Sequence, residues 1–191
     1  TKNFPHQWAS RILKKSIHYV GSHPIAGSEK RGVEFARDDL LAGARCIVTK
    51  TKKTHAGAVR TLVNLWKQLG CRVEVMSPQQ HDRIFGYISH LTHITAASLV
   101  NANDPAFLRL AGKGFIDTSR IASGPSNIWT DILLTNPVYT ARGIDRLIIE
   151  LKKIRSAIAK KDEKKIELLL EKARVKRQAM IQYKIRRKEL F

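Results

Sequence analysis

The pattern of hydrophobic and polar positions changes near residue 77. Before that point, short apolar runs alternate with amphipathic segments, which is typical of an α/β arrangement. We predict helices at 7–15 and 56–69, strands at 45–49 and 72–76, and an apolar run at 17–20 that leads into a Gly-Ser-His-Pro turn. Gly70 follows the second helix, where a left-handed residue commonly ends a helix.

From residue 77 onward the pattern is helical throughout. Three pairs of a capping residue followed by proline predict helix starts: Ser77-Pro78, Asp104-Pro105 and Asn136-Pro137. Gln80 completes a capping box with Ser77, and the helix that begins there should run to about residue 100. The expected fold is therefore an α/β segment at 1–76 followed by an all-helical unit at 77–191, mainly α overall.

Two apolar stripes mark the last part of the chain, and residues 160–162 separate them, so we expect an antiparallel helical hairpin. The stripes are Ile144, Leu147, Ile148, Leu151, Ile154 and Ile158, then Ile166, Leu169, Leu170, Ala173 and Met180. Stripes of this length favour a homodimer, although they could also pack within one chain.

The composition is that of a folded, strongly basic protein. The 191 residues include 35 Lys and Arg against 16 Asp and Glu, a net charge of +19, while 43% are hydrophobic, enough to form a core. Cys46 and Cys71 cannot form a disulfide framework, and without a signal peptide they indicate reduced thiols in the cytoplasm. Residues 84–103 lack Asp, Glu, Lys and Arg, but their His, Ser, Thr and Asn residues favour a buried helix over a membrane span.

Nearly half of the excess positive charge lies in residues 150–191. One interpretation is a nucleic-acid-binding face, and the other is a solvated helix kept soluble by Lys and Arg. In this segment only Tyr183 and Phe191 could stack on bases, which argues against a single-strand binder.

Several common catalytic and phosphate-binding motifs are absent from the sequence. It contains no GxGxxG, no GxxxxGK[ST] and no GxSxG. His90 and His93 are three residues apart on one predicted helix, but without a nearby Cys or paired carboxylates they predict no metal site.

Three segments in order carry a resemblance to a known family. They are Gly-Ser-His-Pro-Ile-Ala-Gly-Ser-Glu-Lys at 21–30, Ser-His-Leu-Thr-His at 89–93, and Asp-Thr-Ser-Arg-Ile-Ala-Ser at 117–123 followed by Trp129. Together they resemble the prephenate/arogenate dehydrogenases of tyrosine biosynthesis. The resemblance implies oxidation of the ring hydroxyl of prephenate or arogenate, with loss of the ring carboxylate and hydride transfer to NAD or NADP.

The resemblance also implies a domain organisation. Residues 1–76 would be the C-terminal part of a Rossmann-type dinucleotide-binding domain, and residues 77–191 a helical dimerisation and substrate domain. The glycine-rich turn would then precede Thr1, and we expect the chain alone to be an inactive fragment of a cytoplasmic homodimer. Neither nucleic acid nor a membrane is an expected partner.

Individual roles follow from the same resemblance. His23 is the expected catalytic residue, which accepts a hydrogen bond from the ring hydroxyl, and Arg120 is expected to bind a substrate carboxylate. The other expected substrate-site residues are His93, Glu29 (an acidic gate paired with an Arg), Trp129 and Asp117. Ser22 and Pro24 are expected next to the cofactor, and His90 is expected to orient its helix.

Two other functions stay open on the sequence alone. The chain could be a non-enzymatic basic helical module that binds nucleic acid, or a hydroxyacid dehydrogenase of another NAD-dependent family. The first would show steeply salt-dependent binding to nucleic acid, and a substrate screen would identify the second.

Overall fold

The computed structural model describes residues 1–26 and 33–187. A three-stranded sheet has the order β1-β2-β3, with strands Gly21–Ile25, Arg45–Thr49 and Arg72–Met76. β1 is antiparallel to β2, with His23 opposite Ile47, and β2 is parallel to β3. The strands predicted at 45–49 and 72–76 are confirmed.

The predicted Gly-Ser-His-Pro turn is wrong, because these residues form β1 itself and residues 17–20 are not a strand. A residue before proline prefers an extended backbone, which suits His23 to a strand. Pro24 has no N–H to donate, but β1 lies at the edge of this sheet and needs to pair on one side only.

Most helices follow the predicted pattern. The helices that precede the long C-terminal pair are α1 Asn3–Ile12, α2 Ala56–Gln68, α3 Pro78–Phe85, α4 Leu91–Asn101, α5 Pro105–Leu108, α6 Lys113–Ser119 and α7 Ser126–Thr135. Short 3₁₀ turns occupy Val33–Phe35 and Arg120–Ser123. The first helix begins and ends earlier than the predicted range 7–15.

The helical run that begins at Ser77 carries much of the site. The Ser77 hydroxyl accepts from the backbone N–H of Gln80 at 3.1 Å, and the Gln80 side chain accepts from that of Ser77 at 3.0 Å, which confirms the capping box. A π-helical segment, Gly86–His90, joins α3 to α4. A Cβ on Gly86 would lie 2.9 Å from Cβ of Tyr139, so glycine allows this close contact.

The core of the first compact unit, residues 1–141, is centred on the middle strand. Cys46, Ile47, Val48 and Thr49 are almost completely buried, and both cysteines are free thiols. Gly70 has φ of +82° after α2, as the sequence predicted. The buried polar side chains of this unit lie mainly on α3, the π-helical segment and α4.

The second compact unit, residues 142–191, is described as far as residue 187 and contains most of α8, Pro137–Ala159, and α9, Glu163–Arg186. The predicted break is confirmed: Lys161 has φ of +52°, and the Asp162 side chain caps α9 by accepting from the N–H of Lys165. Many stripe residues are exposed, including Leu151 and Ile158 in α8 and Leu170 in α9. Within residues 1–26 and 33–187, no helix combines the length and hydropathy needed to cross a bilayer.

Candidate active site

His23 lies at the middle of β1, where its ring contacts α3. Its Nδ1 is 2.8 Å from Nε2 of His81, and its ring centroid is 5.0 Å from that of Phe85. Apart from this bond, His23 makes no other side-chain hydrogen bond within the described ranges, so Nε2 is the uncommitted ring nitrogen. An imidazole with one nitrogen held and the other available suits a general base.

His81 and Asp82 extend the site into the interior. Nδ1 of His81 is 2.8 Å from Oδ1 of Asp82, and the two residues are 1% and 2% exposed. The Asp82 carboxylate also accepts from the backbone N–H groups of Lys2 and Asn3, at 2.7 and 2.8 Å. These amides belong to the N-terminus of α1, where the helix dipole favours negative charge.

The charges of these three groups follow from their surroundings. Burial, with a smaller contribution from His81, lowers the pKa of His23 to about 4. Burial also lowers the pKa of His81. Burial opposes ionisation of Asp82, but the hydrogen bonds from His81, Asn3 and Lys2 outweigh it and lower the pKa of that carboxyl. At neutral pH, both imidazoles are therefore neutral and Asp82 is ionised.

His90 belongs to a second buried network that joins α8 to this run of helices. The Asn136 amide nitrogen donates to the Asp82 carbonyl at 2.7 Å and lies 3.2 Å from Nδ1 of His90, and the Thr140 hydroxyl is 3.4 Å from the same nitrogen. Burial lowers the pKa of His90 to about 4. These contacts hold the His90 ring against Asn136 and Thr140, and its orienting role stays a prediction.

His93 and Trp129 form a stacked pair. Their ring centroids are 3.7 Å apart with an interplanar angle of 8°, and the Trp129 ring also meets His90 edge-on. A Cβ on Gly124 would lie 2.4 Å from Nε1 of Trp129, so this position of the indole requires glycine. Trp129 therefore touches the histidines of the site rather than packing only in the core.

His93 also carries an unpaired buried nitrogen. The residue is 7% exposed, and its Nδ1 has no hydrogen-bond partner among the described residues. Burial lowers the pKa of His93, while a hydrogen bond to the Ile121 backbone opposes the shift. Nδ1 of His93 is therefore a buried ring nitrogen that can take a hydrogen-bond partner from outside the described residues.

The remaining predicted residues are distributed around this centre. Arg120 is an exposed residue at the start of the 3₁₀ turn that packs on α4, the helix carrying His93. Asp117 is exposed in α6. Ser22 and Pro24 flank His23 in β1, where strand alternation directs their side chains to the opposite face. Glu29, the expected acidic gate, lies outside the described residues.

Sequence reasoning missed three residues of the site: His81, Asp82 and Asn136. A signal was present for the first two, because Pro78, His81, Asp82 and Phe85 follow helical spacing and are all buried. Asn136 was predicted only from its place before Pro137, and its tertiary role depends on contacts more than 45 residues away along the chain. Within the described ranges, no group of three or more His, Cys, Asp or Glu side chains could hold a metal ion.

Comparison with known proteins identifies the class. The family profile described as "Prephenate dehydrogenase, nucleotide-binding domain" matches residues 1–75, and "Prephenate dehydrogenase, dimerization domain" matches residues 77–172. The fold and these matches define a member of an oxidoreductase class in which a nucleotide-binding domain precedes a helical one. The chain belongs to the prephenate dehydrogenase family.

Individual relatives agree with this assignment. The chain is 39% identical over 168 residues to the prephenate dehydrogenase of Bacillus subtilis, covering 85% of this chain and 45% of that protein. It is 31% identical over 150 residues to the cyclohexadienyl dehydrogenase of Zymomonas mobilis, covering 75% and 51%. The chain spans about half the length of the curated relatives it matches.

A solved structure shares the fold. The prephenate dehydrogenase of Aquifex aeolicus, determined with hydroxyphenyl propionate and NAD+, is 35% identical with a TM-score of 0.79, covering 84% of this chain and 58% of that one. The predicted fold class, a partial Rossmann-type unit followed by helices, is confirmed. The comparisons do not favour a nucleic-acid module or another hydroxyacid dehydrogenase family.

Proposed function

We propose that the native polypeptide carrying this chain is a prephenate or arogenate dehydrogenase of tyrosine biosynthesis. It would oxidise the ring hydroxyl, release the ring carboxylate as CO₂ and transfer a hydride to NAD or NADP. Family membership supports this function. The structural observation that carries it is a neutral, partly buried His23 whose Nε2 has no hydrogen-bond partner among residues 1–26 and 33–187.

His23 is proposed as the general base. A hydroxyl that loses its proton while its carbon loses a hydride becomes a carbonyl, so a neutral imidazole beside the hydroxyl lowers the barrier. The low pKa of His23 supports this role, because the ring is in its basic form at neutral pH. Its contact with Phe85 and its bond to His81 restrict the ring to one orientation.

The other site residues are proposed to hold the substrate. Arg120 would bind a carboxylate through its guanidinium fork, which forms paired charge-assisted hydrogen bonds. His93 and Trp129 would form an adjoining wall, where the unpaired Nδ1 of His93 accepts from a substrate hydroxyl. Asp117 is proposed to form an ion pair with a nearby arginine. Glu29 is proposed as an acidic gate that pairs with an arginine near the pocket.

The cofactor site lies only partly on this chain under this proposal. The sequence has no glycine-rich phosphate turn. An imidazole that accepts the proton of the ring hydroxyl is nevertheless compatible with a bound nicotinamide that accepts the hydride from the carbon carrying this hydroxyl. When bound, NAD or NADP supplies that hydride acceptor. Ser22 and Pro24, on either side of His23, are the residues of this chain proposed to lie beside it.

The exposed apolar stripes support a homodimer. Ile148, Leu151 and Ile158 are 42–58% exposed and line one shallow groove of α8 with Ile154. An apolar face of this kind is typical of an interface core. We propose a division at residue 77, with the dimer formed by the helical part, and a cytoplasmic location that the two free thiols support.

A substrate and cofactor panel tests the proposed function. The purified native polypeptide is assayed with prephenate and arogenate, each with NAD and NADP, by the absorbance of the reduced cofactor and by released CO₂. We expect equal amounts of both products with at least one combination. Absence of turnover with all four would refute the proposal.

A further inference from the structure

The resemblance assigns no role to His81, which is hydrogen-bonded to His23, or to Asp82, which is hydrogen-bonded to His81, and their role rests on the function proposed above for His23. We propose that Asp82 and His81 form a hydrogen-bonded relay that fixes the tautomer of His23, placing the proton on Nδ1 and leaving Nε2 as the basic atom. His81 is then a positioning residue, because it acts through His23.

The relay begins at the Asp82 carboxylate. Oδ1 accepts from the Lys2 N–H and Oδ2 from the Asn3 N–H, and both amides lie at the N-terminus of α1. A carboxylate held by two backbone donors and a helix dipole stays ionised, and an ionised carboxylate can only accept. His81 Nδ1, 2.8 Å from Oδ1, must therefore carry a hydrogen.

The direction of the next bond follows from the first. A neutral imidazole has one N–H, so a His81 that donates from Nδ1 presents a bare acceptor at Nε2. Nδ1 of His23 is 2.8 Å from that acceptor, so it must be the donor. The hydrogen of His23 is then on Nδ1, and its Nε2 carries the lone pair.

Burial makes the relay directional. His81 and Asp82 are both within 2% of complete burial, where water cannot replace a lost partner. The reversed arrangement, with hydrogen on Nε2 of His81, would place two bare acceptors, Nδ1 of His81 and Oδ1 of Asp82, against each other. That arrangement would also force hydrogen onto Nε2 of His23 and block the base.

The relay also explains where charge goes during the reaction. The substrate O–H bond breaks, an N–H bond forms at Nε2 of His23, and the O–H electron pair forms the carbonyl as hydride leaves to the nicotinamide cofactor. His23 becomes an imidazolium whose Nδ1–H still donates to His81. Asp82 beyond His81 is the negatively charged member of the relay, and its carboxylate favours this positive charge. Burial is the largest cause that opposes protonation of His23, and His81, Lys2, the Thr1 amino group and His90 oppose it as well.

Tautomer measurement on the native polypeptide tests the relay directly. Protein labelled with ¹⁵N-histidine is examined by two-dimensional ¹H–¹⁵N NMR, which distinguishes protonated Nδ1 from protonated Nε2, and His23→Asn assigns the His23 signals. We expect wild-type His23 to be protonated on Nδ1. Protonation on Nε2 would overturn the proposal.

Two substitutions separate positioning from simple structural support. His81→Phe keeps the ring shape but offers no acceptor, whereas His81→Gln can present an amide oxygen near the position of Nε2. We expect His81→Phe to lose the Nδ1–H state of His23 and to lower kcat about 10- to 100-fold with KM unchanged. His81→Gln should recover most of both.

The other possible results of the His81 experiments also decide whether the relay exists. A fall in kcat without a change in the His23 tautomer would make His81 merely structural and overturn the relay. If His81→Phe does not fold, the wild-type and His81→Gln spectra still give the answer. Because the inference rests on the proposed function, a wild-type protein without turnover refutes that function, while the NMR result still decides the relay.

Discussion

Arg120 and His93 differ sharply in environment although both are proposed to hold one substrate. Arg120 is exposed at the start of a 3₁₀ turn, whereas His93 is 7% exposed beneath Trp129. Because Arg120 is exposed, its contribution to substrate binding depends on the geometry of the guanidinium fork rather than on charge alone. Nδ1 of His93 is a buried nitrogen with no partner among the described residues, which costs about 1–3 kcal/mol, and a bound partner would offset this cost.

Substitution of Arg120 tests its proposed role. Lys keeps the charge but cannot form paired bonds to a carboxylate, so Arg120→Lys should raise KM for the substrate strongly with little change in kcat. Arg120→Ala should weaken substrate binding by about 2–5 kcal/mol. Steady-state kinetics of the native polypeptide measures both values, and Arg109→Lys, at another exposed arginine, is the control. Flat KM values in both Arg120 variants would contradict the role.

For single residues, candidates for the site could be proposed from the sequence, but the contacts between their side chains could not. His23, His93 and Trp129 were predicted, and His93 does stack on Trp129. The helical spacing of His81 and Asp82 was a sequence signal for their shared helix face, but it did not predict their hydrogen bonds, because a neighbouring His-Asp pair on a helix is usually solvated and only the fold buries this one. The backbone amides that hold Asp82 belong to residues 2 and 3, about 80 positions away.

The elements were the most predictable part of the molecule. β2 and β3 match the predicted ranges because β2 is a short apolar run and β3 alternates charged and apolar residues, and the Ser77 capping box is a local signal. β1 was misassigned because a His-Pro pair commonly marks a turn, and its strand state depends on pairing with β2. The π-helical segment has no local signal, since it depends on packing against Tyr139 and Asn136.

The Ser77 cap should stabilise the run of helices that carries the site. Ser77→Ala removes the acceptor for the N–H of Gln80 and should lower the free energy of unfolding by about 0.5–2 kcal/mol. Urea denaturation measures the change. Ser98→Ala, at an exposed position inside α4, is the matched control and should be neutral or slightly stabilising. Equal effects of the two substitutions would show that the cap contributes nothing.

At the scale of the whole molecule, the second unit leaves many apolar side chains of its two long helices exposed to solvent in a single chain. Leu151, Ile158 and Leu170 are each 56–58% exposed. The sequence predicted these stripes but left open whether they pack within one chain or between two. Their exposure favours packing between two chains.

A charge in the α8 groove should disrupt the proposed homodimer. Leu151→Glu buries a carboxylate in an apolar interface and should raise the dimer dissociation constant by roughly 30-fold or more, as expected for a central contact of about 2 kcal/mol. Analytical ultracentrifugation over a range of concentrations measures the constant. Lys153→Glu makes a charge change on another face of α8 and should have little effect. A wild-type protein that is monomeric at high concentration would refute the dimer.

Stability should depend on pH through the buried histidines. Burial lowers the pKa of both His23 and His90 to about 4, below the ordinary value of 6.5. Between these values the unfolded chain binds more protons than the folded one, so unfolding becomes easier as pH falls from about 6.5 to 4. The contribution of His90 has an upper limit of ~3 kcal/mol.

Denaturation of the chain at several pH values checks this expectation. The free energy of unfolding should be highest above pH 6.5 and fall steadily toward pH 4, and His90→Asn should reduce the slope. A stability that rises as pH falls through this range would contradict the assigned charge states.

The most direct test of the central claim is the turnover number of the His23→Asn variant of the native polypeptide. It is measured at saturating substrate and cofactor beside wild type and His18→Asn, with folding confirmed by circular dichroism. Loss of a general base should lower kcat about 10²- to 10⁴-fold, whereas His18→Asn should match wild type. A His23→Asn protein with unchanged turnover would show that the base lies elsewhere.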